Sequence, residues 1–113
     1  MNSEWKYRLI KSAEKDFSKL DKSQQIRVLK GIRKVVTNPL PRNEGGYGEP
    51  LENQNDNKLA GCCKIKIKSE GLRIVYRLVR IKSEMQIIII SVRDDRYVYK
   101  EAEKRLKDIL AKH

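Results

Sequence analysis

Cationic side chains recur at every second position along two neighbouring segments of the sequence. Lys64, Lys66 and Lys68 alternate with isoleucines, and Arg73 and Arg77 follow in a second alternating segment. Alternation of this kind predicts two β-strands with one apolar face and one cationic face. Lysine and arginine in such an array bind phosphate oxygens and can neutralise charge that develops on a reacting phosphate. The cationic face therefore indicates a polyanion ligand, although a solvated outer face of a sheet has the same composition.

The connection between the two segments predicts their pairing. A two-residue turn at Glu70-Gly71 predicts three cross-strand pairs on the cationic face: Lys68 with Arg73, Lys66 with Val75, and Lys64 with Arg77. Like charges placed opposite each other repel. Such a face is stabilised by a bound anion or by full exposure to water.

A second polar cluster follows the most apolar segment, Met85–Val92. Its members are Arg93, Asp94, Asp95, Arg96, Tyr97 and Tyr99. The aspartates are suited to capping a helix and neutralising nearby arginines. Tyr99 is either an aromatic anchor of the last helix or a phenol placed near the cations. The single histidine is His113, so acid–base chemistry here has to use lysine, arginine or tyrosine.

The elements that position these residues follow from periodicity and turn signals. We expect a strand at Glu4–Ile10, a helix capped by Ser12, and a helix that opens with a capping box at Asp21. The apolar stripe of that second helix is predicted to be Ile26, Leu29, Ile32 and Val36. Residues 39–58 are predicted to form a long loop with little regular structure. Strands at Gly61–Lys68, Leu72–Arg80 and Met85–Val92 and a helix at Tyr97–Lys112 complete the chain.

The order β-α-α-β-β-β-α predicts an α+β fold. We expect a small antiparallel sheet with two N-terminal helices packed on one face and a C-terminal helix. A length of 113 residues indicates a single domain over residues 1–113.

The net charge of the chain indicates which classes of partner it binds. Twenty-six lysines and arginines oppose 15 acidic residues, a net charge of +11, which favours polyanions such as nucleic acid or an acidic protein. No apolar run approaches the roughly 20 residues of a spanning helix, so we expect a cytoplasmic protein with no membrane contact. Cys62 and Cys63 are adjacent and lack a second ligand pair, so neither a disulfide, a metal site nor a cofactor is predicted.

These residues together resemble the RelE family of toxins from type II toxin–antitoxin systems. The resemblance covers most of the chain and is sharpest in three segments: Cys63-Lys64-Ile65-Lys66-Ile67, Gly71-Leu72-Arg73-Ile74-Val75-Tyr76, and Ile90-Ser91-Val92-Arg93 through Val98-Tyr99. The resemblance implies a ribosome-dependent endoribonuclease that cleaves mRNA in the A site and so inhibits translation.

The resemblance also implies which residues act. The implied catalytic set is Lys64, Lys66, Arg73, Arg93 and Tyr99, and the implied RNA-binding set is Lys68, Arg77 and Arg96. Family members often carry Gly-Lys before the post-strand arginine, which this chain lacks, so Arg96 is a rival to Arg93. The general base is left open between Tyr99 and the strand lysines, whose pKa values a cationic surround is expected to lower.

The implied partners are an acidic, RelB-like antitoxin, mRNA and the 30S A site of the ribosome. The resemblance also allows a heterotetramer of toxin and antitoxin. Two other functions stay open at this point. One is a ParE-like inhibitor of DNA gyrase, which shares the fold but lacks the basic catalytic set, and the other is a non-catalytic nucleic-acid-binding module.

Overall fold

The computed structural model describes residues 4–51 and 59–111. Its helices and strands, in chain order, are β1 Lys6–Leu9, α1 Lys11–Ser18, α2 Lys22–Val35, β2 Glu49–Pro50, β3 Cys62–Ile67, β4 Leu72–Val79, β5 Glu84–Ser91 and α3 Asp95–Ala111. The predicted α+β class and order are confirmed, with the short strand β2 in addition. The predicted end of the last helix at Lys112, residues 52–58 of the loop, and His113 lie outside the described residues.

The five strands form one sheet in the order β1-β5-β4-β3-β2. The pairs of β3 with β4 and of β4 with β5 are antiparallel as predicted, and the additional strand β2 is antiparallel to β3. Strand β1, in contrast, pairs with β5 in parallel, with Tyr7 opposite Met85. The sheet is therefore mixed. The direction of β1 depends on a partner more than 70 residues away, which alternation within β1 does not specify.

The hairpin of β3 and β4 has a longer turn than the sequence predicted. Residues Lys68–Glu70 form one turn of 3₁₀ helix, and Gly71 closes it at φ 63°, a left-handed conformation that favours glycine. Lys66 consequently pairs with Arg73 and Lys64 with Val75. The predicted register was wrong by two residues, but a shift of two preserves which face each side chain occupies.

Helices cover both faces of the sheet. Helices α1 and α2 pack on the predicted face, where their buried residues join Ile74, Tyr76 and Ile87 in one core. Helix α3 packs on the opposite face, against Val75, Ile88 and Ile89. A β-bulge at this point places the neighbours Ile88 and Ile89 on the same face. The cationic side chains therefore lie beside a helix rather than on an open face.

The helix ends and stripes differ in part from the prediction. The capping box of Asp21 and Gln24 is confirmed. Ser12 does not cap α1, which begins at Lys11 without a side-chain cap hydrogen bond. On α2 the buried residues are Val28, Ile32 and Val35, whereas Ile26 is exposed.

The loop after α2 is more regular than predicted over its described part. It contains a 3₁₀ turn at Arg42–Glu44 and strand β2, which pairs with β3. Among residues 4–51 and 59–111, we find no helix with the length and apolar character needed to cross a bilayer.

Candidate active site

The centre of the cationic face is a contact between β3 and α3. The Lys64 ammonium donates a hydrogen bond of 2.9 Å to the Tyr99 hydroxyl. Both groups are sheltered, since the Lys64 side chain is 15% exposed and Tyr99 is 8% exposed. Tyr99 is thus both an anchor of α3, packed among its apolar residues, and a phenol held against a cation.

Burial and local partners act in opposite directions on Lys64. Burial alone lowers the pKa of its ammonium, but the hydrogen bond and charge interaction with Tyr99, together with the carboxylates of Glu49 and Asp95, raise it. The net pKa of Lys64 is raised above 10.5. The predicted lowering was therefore wrong for Lys64, which stays protonated at neutral pH and suits a donor rather than a base.

Two further cations converge on one carboxylate at the start of α3. Arg73 Nε donates to Asp95 Oδ1 at 2.5 Å, and Lys66 Nζ lies 3.9 Å from Asp95 Oδ2. Lys66 and Arg73 are directly opposite each other in the hairpin, so the sheet brings them together and the helix supplies their counter-ion. A single anion the size of a carboxylate therefore reaches both cations.

Arg93 adjoins this group through its backbone. Its carbonyl accepts a hydrogen bond of 2.9 Å from Arg73, while its guanidinium stacks 4.1 Å from the centre of the Tyr97 ring. Arg96 is exposed in the first turn of α3. The structure thus brings the backbone of Arg93 to Arg73, while the choice between the Arg93 and Arg96 side chains stays open.

The remaining predicted RNA-binding residues lie at different distances from the centre. Lys68 is exposed in the hairpin turn and lines a groove of about 490 Å³ with Lys64 and Lys66. Arg77 lies four residues from Arg73 along β4, roughly 13 Å by strand rise, and donates to Gln86. The structure thus joins Lys64, Lys66, Arg73, Tyr99 and the backbone of Arg93, while Arg77 stands apart.

Two acidic residues belong to the site that the sequence analysis did not assign to it. Asp95 bridges Lys66 and Arg73, and Glu49 lies 3.8 Å from Lys64. The aspartate pair after β5 was the available signal for Asp95, since an acidic residue is favoured in the first turn of a helix. Its partners become visible only when α3 is folded against β4.

The cysteines are free and buried, as two ordinary thiols would be. Burial raises the pKa of Cys62 to about 11 and raises that of Cys63. Neither thiol is therefore a nucleophile at neutral pH.

The sequence matches a family described as the ParE toxin of the type II toxin–antitoxin system parDE, over residues 7–99. It is also 35% identical over 85 residues to the mRNA interferase toxin RelE of Escherichia coli K12. That match covers 71% of this chain and 90% of the relative. The mRNA interferase RelE of Shigella flexneri matches to the same extent.

Solved structures share the fold. The isolated E. coli RelE toxin superposes with a TM-score of 0.65 at 24% identity, covering 90% of this chain and 98% of that one. The toxin in the E. coli RelBE toxin–antitoxin complex gives 0.61 at 22% identity, covering 80% and 98%. The Mycobacterium tuberculosis RelBE2 complex gives 0.53 at 22% identity, covering 80% and 100%.

Proposed function

Since this chain belongs to the RelE/ParE superfamily of type II toxins, we propose that it is an endoribonuclease that cleaves mRNA in the ribosomal A site. The reaction is attack of a ribose 2′-OH on the adjacent phosphorus, which requires no metal or cofactor. Cleavage of the message stops translation.

One observation carries the proposal, namely the convergence of three cations and one phenol at a single place. Lys66 and Arg73 share the Asp95 carboxylate, and Lys64 hydrogen-bonds Tyr99 beside them. An array of donors fixed before substrate arrives is the arrangement that stabilises charge growing on a phosphate. RNA supplies its own nucleophile, the 2′-OH, so the protein has to position, neutralise and move protons.

Each group has a role consistent with its contacts. The Tyr99 hydroxyl hydrogen-bonds the 2′-OH and relays its proton to solvent, and the Lys64 ammonium, which donates to the same oxygen, stabilises the negative charge that develops there. Arg73 and Lys66 bind the non-bridging oxygens in place of Asp95. Arg93 neutralises the charge on the leaving 5′ oxygen, which takes a proton from water as the P–O5′ bond breaks. The products are a 2′,3′-cyclic phosphate and a 5′-hydroxyl.

The ribosome enters the proposal because weak acids and bases make slow nucleases. Holding the message in a reactive conformation supplies a positioning effect worth several kcal/mol. We therefore expect little cleavage of free RNA. The basic surface of α2 then serves docking to ribosomal RNA, with an affinity that falls steeply with added salt.

An acidic, RelB-like antitoxin is the proposed cellular partner. The solved relatives include RelBE toxin–antitoxin complexes, and a net charge of +11 favours an acidic, partly disordered peptide as the covering chain. Covering the cationic site blocks its access to RNA, whereas displacing α3 removes the contact between Lys64 and Tyr99; either is sufficient to neutralise the toxin.

The test is translation of a defined message in a purified system, followed by primer extension. Wild-type protein should produce cuts within A-site codons. Arg73→Ala and Tyr99→Phe should reduce those cuts by about 100-fold or more, the usual loss for a group that stabilises the transition state. Arg8→Ala is the matched control, because Arg8 forms an exposed ion pair with Glu84 at the far edge of the sheet.

Equal inhibition of translation by wild type and both site variants, with the message intact, would contradict the proposal. A gyrase supercoiling assay would then test the ParE-like alternative that the family description names.

A further inference from the structure

The loop between α2 and β2 is tightly constructed for a surface connection. Hydrogen bonds close it on itself and tie it to the sheet: the N–H of Tyr47 donates to Asn38 O, the N–H of Gly48 donates to Leu40 O, and the Tyr76 hydroxyl donates to Pro39 O. Their lengths are 2.7–2.9 Å. A loop with its backbone groups paired in this way holds one conformation.

The two glycines that flank Tyr47 make this closure possible. A Cβ on Gly46 would lie 2.0 Å from the Leu40 carbonyl oxygen, and one on Gly48 would lie 2.4 Å from the Tyr76 hydroxyl. Neither position accommodates a side chain without movement of its surroundings. Tyr47 itself is 53% exposed. The loop therefore presents an aromatic ring to solvent from a rigid base, although an exposed aromatic ring contributes little to the stability of the fold.

The exposed ring lies in a basic groove between α2 and β3. This groove has a volume of about 430 Å³ and is lined by Tyr47 together with Arg27, Lys30, Lys34 and Lys66. The Lys34 ammonium lies 5.5 Å from the centre of the Tyr47 ring, a cation–π contact that orients both groups. Glu70 pairs with Arg27 at 3.0 Å and partly neutralises that end.

The groove adjoins the outer edge of the candidate active site, at Lys64 and Lys66. Tyr47, Val35, Ile65 and Lys66 also line the groove of about 490 Å³ that contains Lys64 and Lys68. Strand β2 pairs with the outer edge of β3 at Cys63 and Lys64, and the Leu51 N–H donates to Cys62 O, so the pairing by β2 ends at Lys64 and does not reach Lys66. One continuous surface thus extends from Lys64, past Lys66 and Tyr47, to Lys30 on α2.

We propose that Tyr47 and Lys34 form a nucleotide-binding subsite, where a base of the single-stranded RNA substrate stacks on the tyrosine ring and its phosphate pairs with the lysine. The subsite rests on the proposed ribonuclease function and adds a second contact to it, one nucleotide or more from the scissile phosphate. Alternation of aromatic rings and cations along a groove is the pattern by which proteins bind single-stranded nucleic acid.

The chemistry of the groove favours RNA over an acidic peptide. The carboxylates of an acidic peptide pair with the lysines but do not stack on an aromatic ring, whereas every nucleotide offers both a phosphate and a base face. The position of Lys66 also favours RNA, because Lys66 and Tyr47 line the same groove. An RNA strand with a phosphate bound at Lys66 has its neighbouring nucleotides within reach of Tyr47.

The test measures binding without cleavage. A fluorescent 12-nucleotide single strand of 2′-O-methyl RNA lacks the nucleophile, and its anisotropy reports affinity for the purified toxin at several salt concentrations. Tyr47→Ala should weaken binding at least about 5-fold, the loss of one stacked base, and Tyr47→Phe should bind like wild type. Lys34→Gln should reduce the slope of log binding constant against log salt concentration by roughly 0.7. Lys22→Gln, on the same helix but outside the groove, should reduce that slope by less.

Equal affinity of wild type and Tyr47→Ala overturns the subsite, as does equal weakening by Tyr47→Ala and Tyr47→Phe. Thermal unfolding of each variant separates a lost contact from a lost fold, and crosslinking of Tyr47 to a 4-thiouridine strand keeps the question testable if Tyr47→Ala unfolds. If a polyglutamate peptide loses affinity with Tyr47→Ala and RNA does not, the groove binds an acidic segment and the proposal is wrong.

The outcome is separable from that of the proposed function. Wild-type cleavage in the translation assay together with unchanged RNA binding by Tyr47→Ala leaves the nuclease intact and removes the subsite. Absence of cleavage together with RNA binding that depends on Tyr47 removes the nuclease function and leaves the RNA-binding subsite.

Discussion

Replacement of Arg105 by methionine should destabilise the protein more than the loss of an exposed ion pair does. Arg105 donates to both carboxylate oxygens of Asp16, at 2.7 and 3.2 Å, and to the carbonyl of Ile88 at 3.0 Å. Asp16 in turn accepts from the Ile90 N–H at 3.0 Å. These two side chains thereby provide hydrogen-bond partners for backbone groups of β5 beyond the end of β1, and they link α1 to α3.

The magnitude follows from burial. The side chains of Arg105 and Asp16 are 15% and 18% exposed, and removing one partner of a buried pair costs roughly 3–5 kcal/mol. Because both side chains retain some contact with water, we expect a loss of about 2–4 kcal/mol for Arg105→Met. For a chain of this length that loss corresponds to roughly 4 °C in Tm per kcal/mol.

The assay is urea unfolding followed by far-UV circular dichroism, with a double-mutant cycle. Asp16→Asn keeps a carbonyl oxygen for the Ile90 N–H but removes the charge. Combined with Arg105→Met it removes the unpaired charge at position 16, and Glu101, which is 25% exposed, loses its Arg105 partner in the Arg105→Met single variant and the double variant alike. The double variant should therefore be more stable than the sum of the two losses by about 1–3 kcal/mol. Arg8→Met is the control, since its exposed pair with Glu84 is worth about 0–1 kcal/mol.

An Arg105→Met variant as stable as Arg8→Met would show that the pair of Arg105 and Asp16 contributes no more than an exposed ion pair. Strict additivity of Asp16→Asn and Arg105→Met would show that the two side chains do not act as a pair.

Three other changes test separate parts of the structure. Lys64→Met removes the donor to Tyr99 and should lower A-site cleavage by about 100-fold or more with the circular dichroism spectrum unchanged; a variant that cleaves like wild type would show that this contact is not catalytic. The folded pKa of Cys62 is about 11 against an ordinary 9.0, so the unfolded chain loses its proton first, and the free energy of unfolding should fall as pH rises from 9 to 11; Cys62→Ala should weaken this dependence in urea titrations at several pH values. Gly48→Ala places a methyl group 2.4 Å from the Tyr76 hydroxyl and should cost roughly 1–3 kcal/mol in the same assay, whereas Gly45→Ala, where an added Cβ meets no atom within 4 Å, should be affected only by its positive φ.

The parts of the fold that depend on local chemistry were predictable. The capping box of Asp21 needs only its own turn, and the alternation of β3 and β4 assigns each side chain to a face whatever the register. The register itself depended on whether the chain turns in two residues or in a 3₁₀ turn closed by Gly71, and the letters Ser69-Glu70-Gly71 allow both. The parallel pairing of β1 with β5 has no local signal.

The candidate site was predictable as a set of cations and a phenol, but not as a geometry. Alternation indicated that Lys64, Lys66 and Arg73 share a face, and the structure agrees. The raised pKa of Lys64 was not foreseeable, because it arises from Tyr99, Glu49 and Asp95, which lie on other elements. The sequence predicted only cations around Lys64, whereas the fold also places two carboxylates beside it.

In the proposed reaction the 2′-OH of the message is the nucleophile. A message carrying a single 2′-deoxynucleotide immediately 5′ of the cleaved phosphate, programmed into the A site of purified ribosomes, tests it directly. We expect cleavage at that position to be lost, while the all-ribose message yields a 2′,3′-cyclic phosphate and a 5′-hydroxyl. Equal cleavage of the two messages would contradict this reaction.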